Sequence, residues 1–140
     1  MPDKVFAYIT HGTDLLLFRH PDFPEAGIQV PAGSIEEGET PEVAVMREAF
    51  EETGLSGLKL ISYLGETTYD MSAWNGDPAQ RRHFFHLELS DHAQTTWLHD
   101  ETDGGVSEPI VFEFFWARMP DDIPYLIAGH GQMLPSLQRG

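Results

Sequence analysis

The chain predicts a mixed α/β (α+β) fold. Three observations carry that prediction: short apolar runs of strand length, one longer segment with helix-capping residues at both ends, and mostly short polar connections. With 140 residues, 41% of them apolar, the chain is long enough to bury a core and is expected to form one domain over 1–140.

Residues 5–9 and 15–18 are apolar and flank His11-Gly12-Thr13, which predicts a hairpin. Residues 20–27 hold two prolines and a glycine and predict a loop. Ile28-Gln29-Val30 predicts a short strand entering the turn Pro31-Ala32-Gly33. A helix follows from Pro41 to Thr53: Thr40 can cap it, Pro41 suits its first position, and Gly54 suits the position past its end. Residues 58–68 and 83–89 predict strands, separated by a loop at 70–80 that carries Asn75-Gly76 and Pro78. Residues 91–108 are polar and contain glycine, and predict a long mobile loop around Trp97. Residues 110–117 predict a buried strand, and 123–137 a closing helix weakened by Gly129 and Gly131.

Composition excludes several classes of function. There is no cysteine, hence no disulfide, thiolate metal site or cysteine nucleophile. No apolar run approaches the length of a membrane span, and Asp3, Lys4, His11 and Asp14 break any signal-peptide core, so a cytoplasmic protein without membrane contact is expected. A formal charge of −15 disfavours nucleic-acid polymers, whose binding relies on Lys and Arg. Small phosphorylated ligands stay open, because a bound cation inverts the local field.

The segment 33–55, GSIEEGETPEVAVMREAFEETGL, carries the chemistry. At about 100° per residue, Glu52 and Glu51 fall roughly 40° and 60° either side of Glu48. Val43, Met46, Ala49, Phe50 and Thr53 group on the opposite side, so the apolar face is expected in the core and the carboxylates on the other face. Like charges three and four residues apart destabilise a helix, and Glu51 and Glu52 also lie near the negative end of its dipole. Two readings fit: a solvated acidic face, or a site for a hard divalent cation, with Mg²⁺ first and Mn²⁺ close behind.

Gly33, Glu39, Arg47-Glu48, Glu51-Glu52, Gly54 and aliphatic Leu55 stand at the spacing of the Nudix box, and the segment resembles that signature of the Nudix hydrolases at every fixed position. Ala49 is a soft departure, where the family usually has a larger aliphatic residue. Val30-Pro31-Ala32 is similar to the strand and turn that lead into the box. The resemblance implies an α/β/α sandwich around a mixed sheet, and Mg²⁺-dependent cleavage of a pyrophosphate bond in a small nucleotide. It implies that Glu48, Glu51 and Glu52, with the Ala32 carbonyl, hold metal. It implies that Arg47 orients the glutamates, and that Gly33 and Glu39 are structural. The general base is expected to be Glu52 or Glu48, with the loop acids Glu101 and Glu108 as replacements. A non-catalytic nucleotide sensor and an RNA 5′-end pyrophosphohydrolase are the alternatives, the second disfavoured by the scarcity of basic residues. The expected assembly is a monomer or homodimer.

Outside the box, Arg19, Arg81 and Arg82 are candidate phosphate contacts or ordinary ion pairs. Tyr69, Trp74 and Trp97 are candidate ligand contacts or lid residues, and Phe85 is expected in the core. Glu113, in an apolar strand, needs a partner. His83 and His86 face opposite sides of their strand and cannot form a simple metal pair. A proline that certain ADP-ribose-cleaving members carry about fifteen residues beyond the box is missing, as is the coenzyme A-type pattern upstream. Tyr69 lies slightly short of a tyrosine position of some dinucleoside polyphosphate hydrolases.

Overall fold

The computed structural model describes residues 1–74, 79–90, 95–101 and 110–138. Its strands are β1 (Asp3–His11), β2 (Asp14–Arg19), β3 (Ala32–Ser34), β4 (Leu58–Asp70), β5 (Ala79–Leu89), β6 (Thr96–Glu101) and β7 (Ile110–Arg118), and its helices are α1 (Pro41–Thr53) and the short α2 (Leu134–Gln138). They form one mixed sheet in the order β4-β5-β1-β2-β7-β6, with β3 paired to β1. Only β1 and β5 run parallel, with Ala7 beside Phe85; the other pairings are antiparallel.

Alternation along the strands gives the sheet two apolar faces. Val5, Ala7, Ile9, Leu16, Phe18, Phe85 and Phe114 pack against Ala44, Val45 and Ala49 of α1. Phe6, Tyr8, Leu15, Leu17 and Phe84 pack against Leu126, Leu134 and Leu137 on the other side. The result is the expected layering, a mixed sheet with helical segments on its two faces. No helix among the described residues is long and apolar enough to cross a membrane.

The hairpin at Gly12 and the limits of α1 agree with the sequence reading. The Thr40 hydroxyl accepts from the Val43 N–H, and Gly54 closes the helix in the left-handed region at φ 74°. Four expectations need correction. Residues 28–30 make only isolated bridges, to Phe18 and Leu126, and the strand beside the box is β3. The expected loop at 91–108 contains β6, whose cross-strand partners lie in β7; residues 91–94 and 102–109 lie outside the described part. Positive φ at Ala128 (53°) and Gly129 (75°) breaks the expected closing helix into a 3-10 turn and α2.

The fourth correction concerns which face of α1 is buried. Ala44, Val45, Ala49, Glu52 and Thr53 are buried, whereas Val43 (56%) and Phe50 (53%) are exposed. The helix is therefore rolled from the phase its apolar residues suggest, and two of its carboxylates turn towards the protein rather than towards solvent.

Candidate active site

The site starts from the turn into the box. β3 is hydrogen-bonded to β1 and lies under α1, so the backbone of Ala32 and Gly33 runs beside the helix carboxylates. Glu52 is only 5% exposed, and its Oε2 accepts from the Ala32 N–H at 3.1 Å. The Glu48 carboxyl presses on Gly33 so closely that a Cβ there would overlap it. Glycine is therefore favoured by close approach while Arg47 holds Glu48 in this position, since its φ is not in the left-handed region.

Arg47 is the organiser of the acids. Its guanidinium donates to both oxygens of Glu39 at 2.7 and 2.8 Å, to Glu48 Oε1 at 2.7 Å and to the Ser34 carbonyl at 3.0 Å. The fork to Glu39 is bidentate, which fixes direction as well as charge. Hydrogen bonds from Arg47 and the Glu36 N–H hold the Glu39 carboxyl down to about 2. Reciprocally, Glu39 and then Glu48 push the Arg47 pKa above its ordinary value. One residue thus ties the Ser34 turn, the Glu39 loop and the helix acids into a unit.

A cavity of about 340 Å³ opens over this unit. Ala32, Gly33, Ser34, Glu36, Glu48 and Glu52 line it, together with Phe18, Gln29, Val30 and Phe112. Glu51 does not line it; its side chain is half exposed, with Oε2 3.3 Å from Arg47 Nη1. Among the described residues no three His, Asp or Glu side chains converge as a metal cage. The structure thus brings together Ala32, Gly33, Glu48 and Glu52, with Arg47 and Glu39 behind them, and leaves Glu51 at the margin.

The candidates outside the box fare differently. Trp97 is a strand residue: its ring stacks on Phe114 at 5.2 Å and its indole N–H donates to the Thr53 carbonyl at 3.0 Å. Core packing, not a lid, explains it. Arg19 pairs with Glu113 across β2 and β7 at 3.5 Å and lies over the Phe115 ring, an ordinary surface pair that also supplies the partner Glu113 needed. Arg81 pairs with Asp3 and Glu66. Arg82 is buried between the Phe6 and Tyr69 rings on the face away from α1. Tyr69 lines a separate cavity of about 470 Å³ with Tyr125 and Gln132, not the acidic one. Phe85 is in the core, and His83 and His86 have separate partners, Tyr63 and Thr10. The Glu101 and Trp74 side chains and Glu108 lie outside the described part.

Sequence reasoning missed Glu36, Phe18, Gln29 and Phe112. Glu36 stood inside the box and was within reach of a closer reading. The other three carry no local signal, because the β2–β7 pairing and the Phe18–Gln29 bridge bring them together.

A mixed sheet carrying a helix whose glutamates turn into a cleft, braced by one arginine, defines an acidic-cleft domain with hard-oxygen ligands. The chain belongs to the NUDIX family: the NUDIX domain model matches residues 2–130. It is 35% identical over 71 residues to an RNA pyrophosphohydrolase of Gluconobacter oxydans (strain 621H), an alignment covering 50% of this chain and 42% of the relative. The chain thus spans about two fifths of the length of that relative. Its fold is similar to the E. coli dihydroneopterin triphosphate pyrophosphohydrolase, with TM-score 0.58 and 26% identity over 67% of this chain and 72% of that one. It is also similar to a C. elegans Ap4A hydrolase binary complex, with TM-score 0.68 and 16% identity over 99% and 96% of the two chains. Nudix hydrolases generally use divalent metals.

Proposed function

We propose that this chain hydrolyses a pyrophosphate bond in a nucleoside triphosphate or a nucleoside diphosphate derivative, with Glu48 and Glu52 holding Mg²⁺ or Mn²⁺. The observation that carries the reading is the convergence of these two carboxylates with the Ala32-Gly33 turn on one cavity. Mg²⁺ usually takes one or two protein carboxylates, the rest of its shell being water and substrate phosphate. Two inward glutamates therefore fit the ion, and the main-chain oxygen of Ala32 is a further candidate ligand. Glu51 takes the lesser part of trimming the local charge. The ion, when bound, supplies Lewis acidity to the phosphate oxygens and makes an attacking water more acidic.

The protein's own groups do the rest. Among the described residues the cavity lining holds four neutral side chains, one hydroxyl, one glycine, one alanine and three glutamates, and no Lys or Arg. In this reading the bound cation offsets phosphate charge. Arg47 keeps Glu48 aimed, and the Ala32 N–H keeps Glu52 aimed. In this reading one of the two carboxylates accepts the proton of the attacking water. We further infer a single domain over 1–140, a cytoplasmic location, and a monomer or homodimer.

The test is product release from nucleoside triphosphates, nucleotide sugars, ADP-ribose and dinucleoside polyphosphates, with Mg²⁺ or Mn²⁺ and with EDTA. Metal-dependent turnover supports the reading, whereas no turnover by folded protein moves it to the sensor alternative. Excess Ca²⁺ should support turnover poorly, being larger and less demanding in geometry. The resemblance to RNA pyrophosphohydrolase over half the chain favours a second reading, so a 5′-triphosphorylated oligonucleotide belongs in the panel. The charge of −15 argues against it.

A further inference from the structure

We propose that Gln29 is a specificity-determining residue that reads an N–H donor on the edge of a flat heteroaromatic ring, an amino-bearing nucleobase, held at the end of the cavity that Phe18 and Phe112 close. This rests on the pyrophosphohydrolase reading and concerns the part of the same cavity that the glutamates do not occupy.

Three observations place the ring there. Phe18 and Gln29 exchange two backbone hydrogen bonds at 3.0 Å, which makes them a directly opposed antiparallel pair with side chains on one face. That face is the α1 side, because Phe18 packs in the same cluster as Ala44 and Val45. Phe18 and Phe112 lie 4.5 Å apart, centroid to centroid, and His20 stands edge-on to Phe112 at 4.6 Å. Phe18 and Phe112 are 2% and 5% exposed, so they close off an apolar end of the cavity beside the carboxylates, and that end suits a ligand that is apolar at one end and polyanionic at the other.

The direction of the Gln29 amide gives the reading its chemistry. Its nitrogen lies 3.0 Å from the Ala26 carbonyl, which can only accept, so that end must be the NH₂. The amide is therefore fixed without ambiguity between its two flips. Its Oε1, among the described residues, makes no hydrogen bond, and Gln29 is one of the residues that line the cavity. A carbonyl oxygen presented to a ligand selects donors: an exocyclic amine or a ring N–H. It also disfavours phosphate, which orients the substrate with its phosphates towards Glu48 and Glu52 and its ring towards the Gln29 end of the cavity. A site built to hydrogen-bond such a group rejects an analogue lacking it, because the analogue leaves the polar atom unpaired.

The test compares kcat/KM for ATP and for purine riboside triphosphate, which lacks the amine and has no N–H on that edge. The wild-type protein should prefer ATP by about tenfold, the order expected for one hydrogen bond. Gln29→Met, of similar length, should bring the ratio close to one. Gln29→Glu, which cannot donate to the Ala26 carbonyl that fixes the amide, should weaken the preference for ATP. Unfolding midpoints of the variants show whether either has simply failed to fold; if Gln29→Met has, equilibrium binding of the two nucleotides to wild-type protein with Ca²⁺ reads the same preference. No turnover of any nucleotide by the wild type would remove the underlying activity. Turnover without discrimination between the two purines, or an unchanged ratio in Gln29→Met, would overturn the role of Gln29 and leave the activity standing.

Discussion

Arg47 and Arg82 sit on opposite faces of the same sheet and are held in opposite ways. Arg47 is surrounded by carboxylates, with Glu39 and Glu48 at 2.7 Å and Glu51 at 3.3 Å. Arg82, 2% exposed, lies between the Phe6 and Tyr69 rings, with centroids 4.7 and 4.1 Å away, and donates to the Ala128 carbonyl and the Gln80 amide oxygen. Its described partners are neutral, and burial lowers its pKa. The first arginine positions charge that a reaction can use, whereas the second fastens the 127–130 turn to the sheet. Activity and stability should therefore separate by face.

The largest expected effect tests the α1 face. Glu52→Gln should lower kcat/KM by about 10²- to 10³-fold, in the range seen when one charged group is lost from a catalytic site, while the unfolding midpoint stays near that of the wild type. Unchanged turnover would sink α1 as the catalytic centre. On the other face, Arg82→Met should cost roughly 2–3 kcal/mol in urea unfolding, because it strands the Ala128 carbonyl and the Gln80 oxygen. Turnover per folded molecule should remain within about twofold; a selective loss of activity would show that the faces are not separate.

A smaller effect is expected for Arg47→Lys. A single ammonium cannot span Glu39, Glu48 and the Ser34 carbonyl, so activity should fall by roughly tenfold to a hundredfold with charge conserved. Full activity would show that charge alone suffices. Acid should weaken the two faces in different pH windows. His130 accepts from the Val30 N–H through Nδ1, and burial, then the Arg82 charge, lowers its pKa from 6.5 to about 3. The unfolded chain binds a proton below about 6.5 that the native state refuses, so this stability is whole above 6.5 and is lost as pH falls towards 3. Glu39, held from 4.5 down to about 2, adds a second loss that begins below 4.5. Urea midpoints at pH 7.5, 6 and 5 should fall in the wild type and fall less in His130→Gln, where the burial of His20 and His86, which also lowers their pKa values, still contributes. The smallest effect belongs to Arg19→Ala, an exposed pair that should change stability by no more than about 0.5 kcal/mol and leave turnover alone.

Local signals were legible in the sequence and non-local ones were not. Thr40, Pro41 and Gly54 marked α1 because caps act within a turn of the helix they bound. The box spacing marked Glu48, Glu52 and Arg47 for the same reason. The roll of α1 is not legible from periodicity, which assumes that apolar residues go inward. Here Glu52 is inside and Phe50 outside, since Ala32 offers the carboxylate a backbone donor. β6 carries no local signal because its strand character comes from β7, and Trp97 belongs to it because Phe114 supplies its stacking partner. Ala128, a residue that rarely takes positive φ, hid the break that ends the expected closing helix.

The central place of β1 has a consequence for synthesis. One edge of the strand meets β2 and β3, made soon after it, but the other waits for β5, which begins only at Ala79. Until the ribosome has released β5, the nascent chain carries the fully apolar Val5-Phe6-Ala7-Tyr8-Ile9 run with one side unpaired. That run is of the length and composition that seeds cross-β association. Closure across so long a stretch of chain is also slow. The interval between translating β1 and translating β5 is therefore when this edge is open to association with another chain.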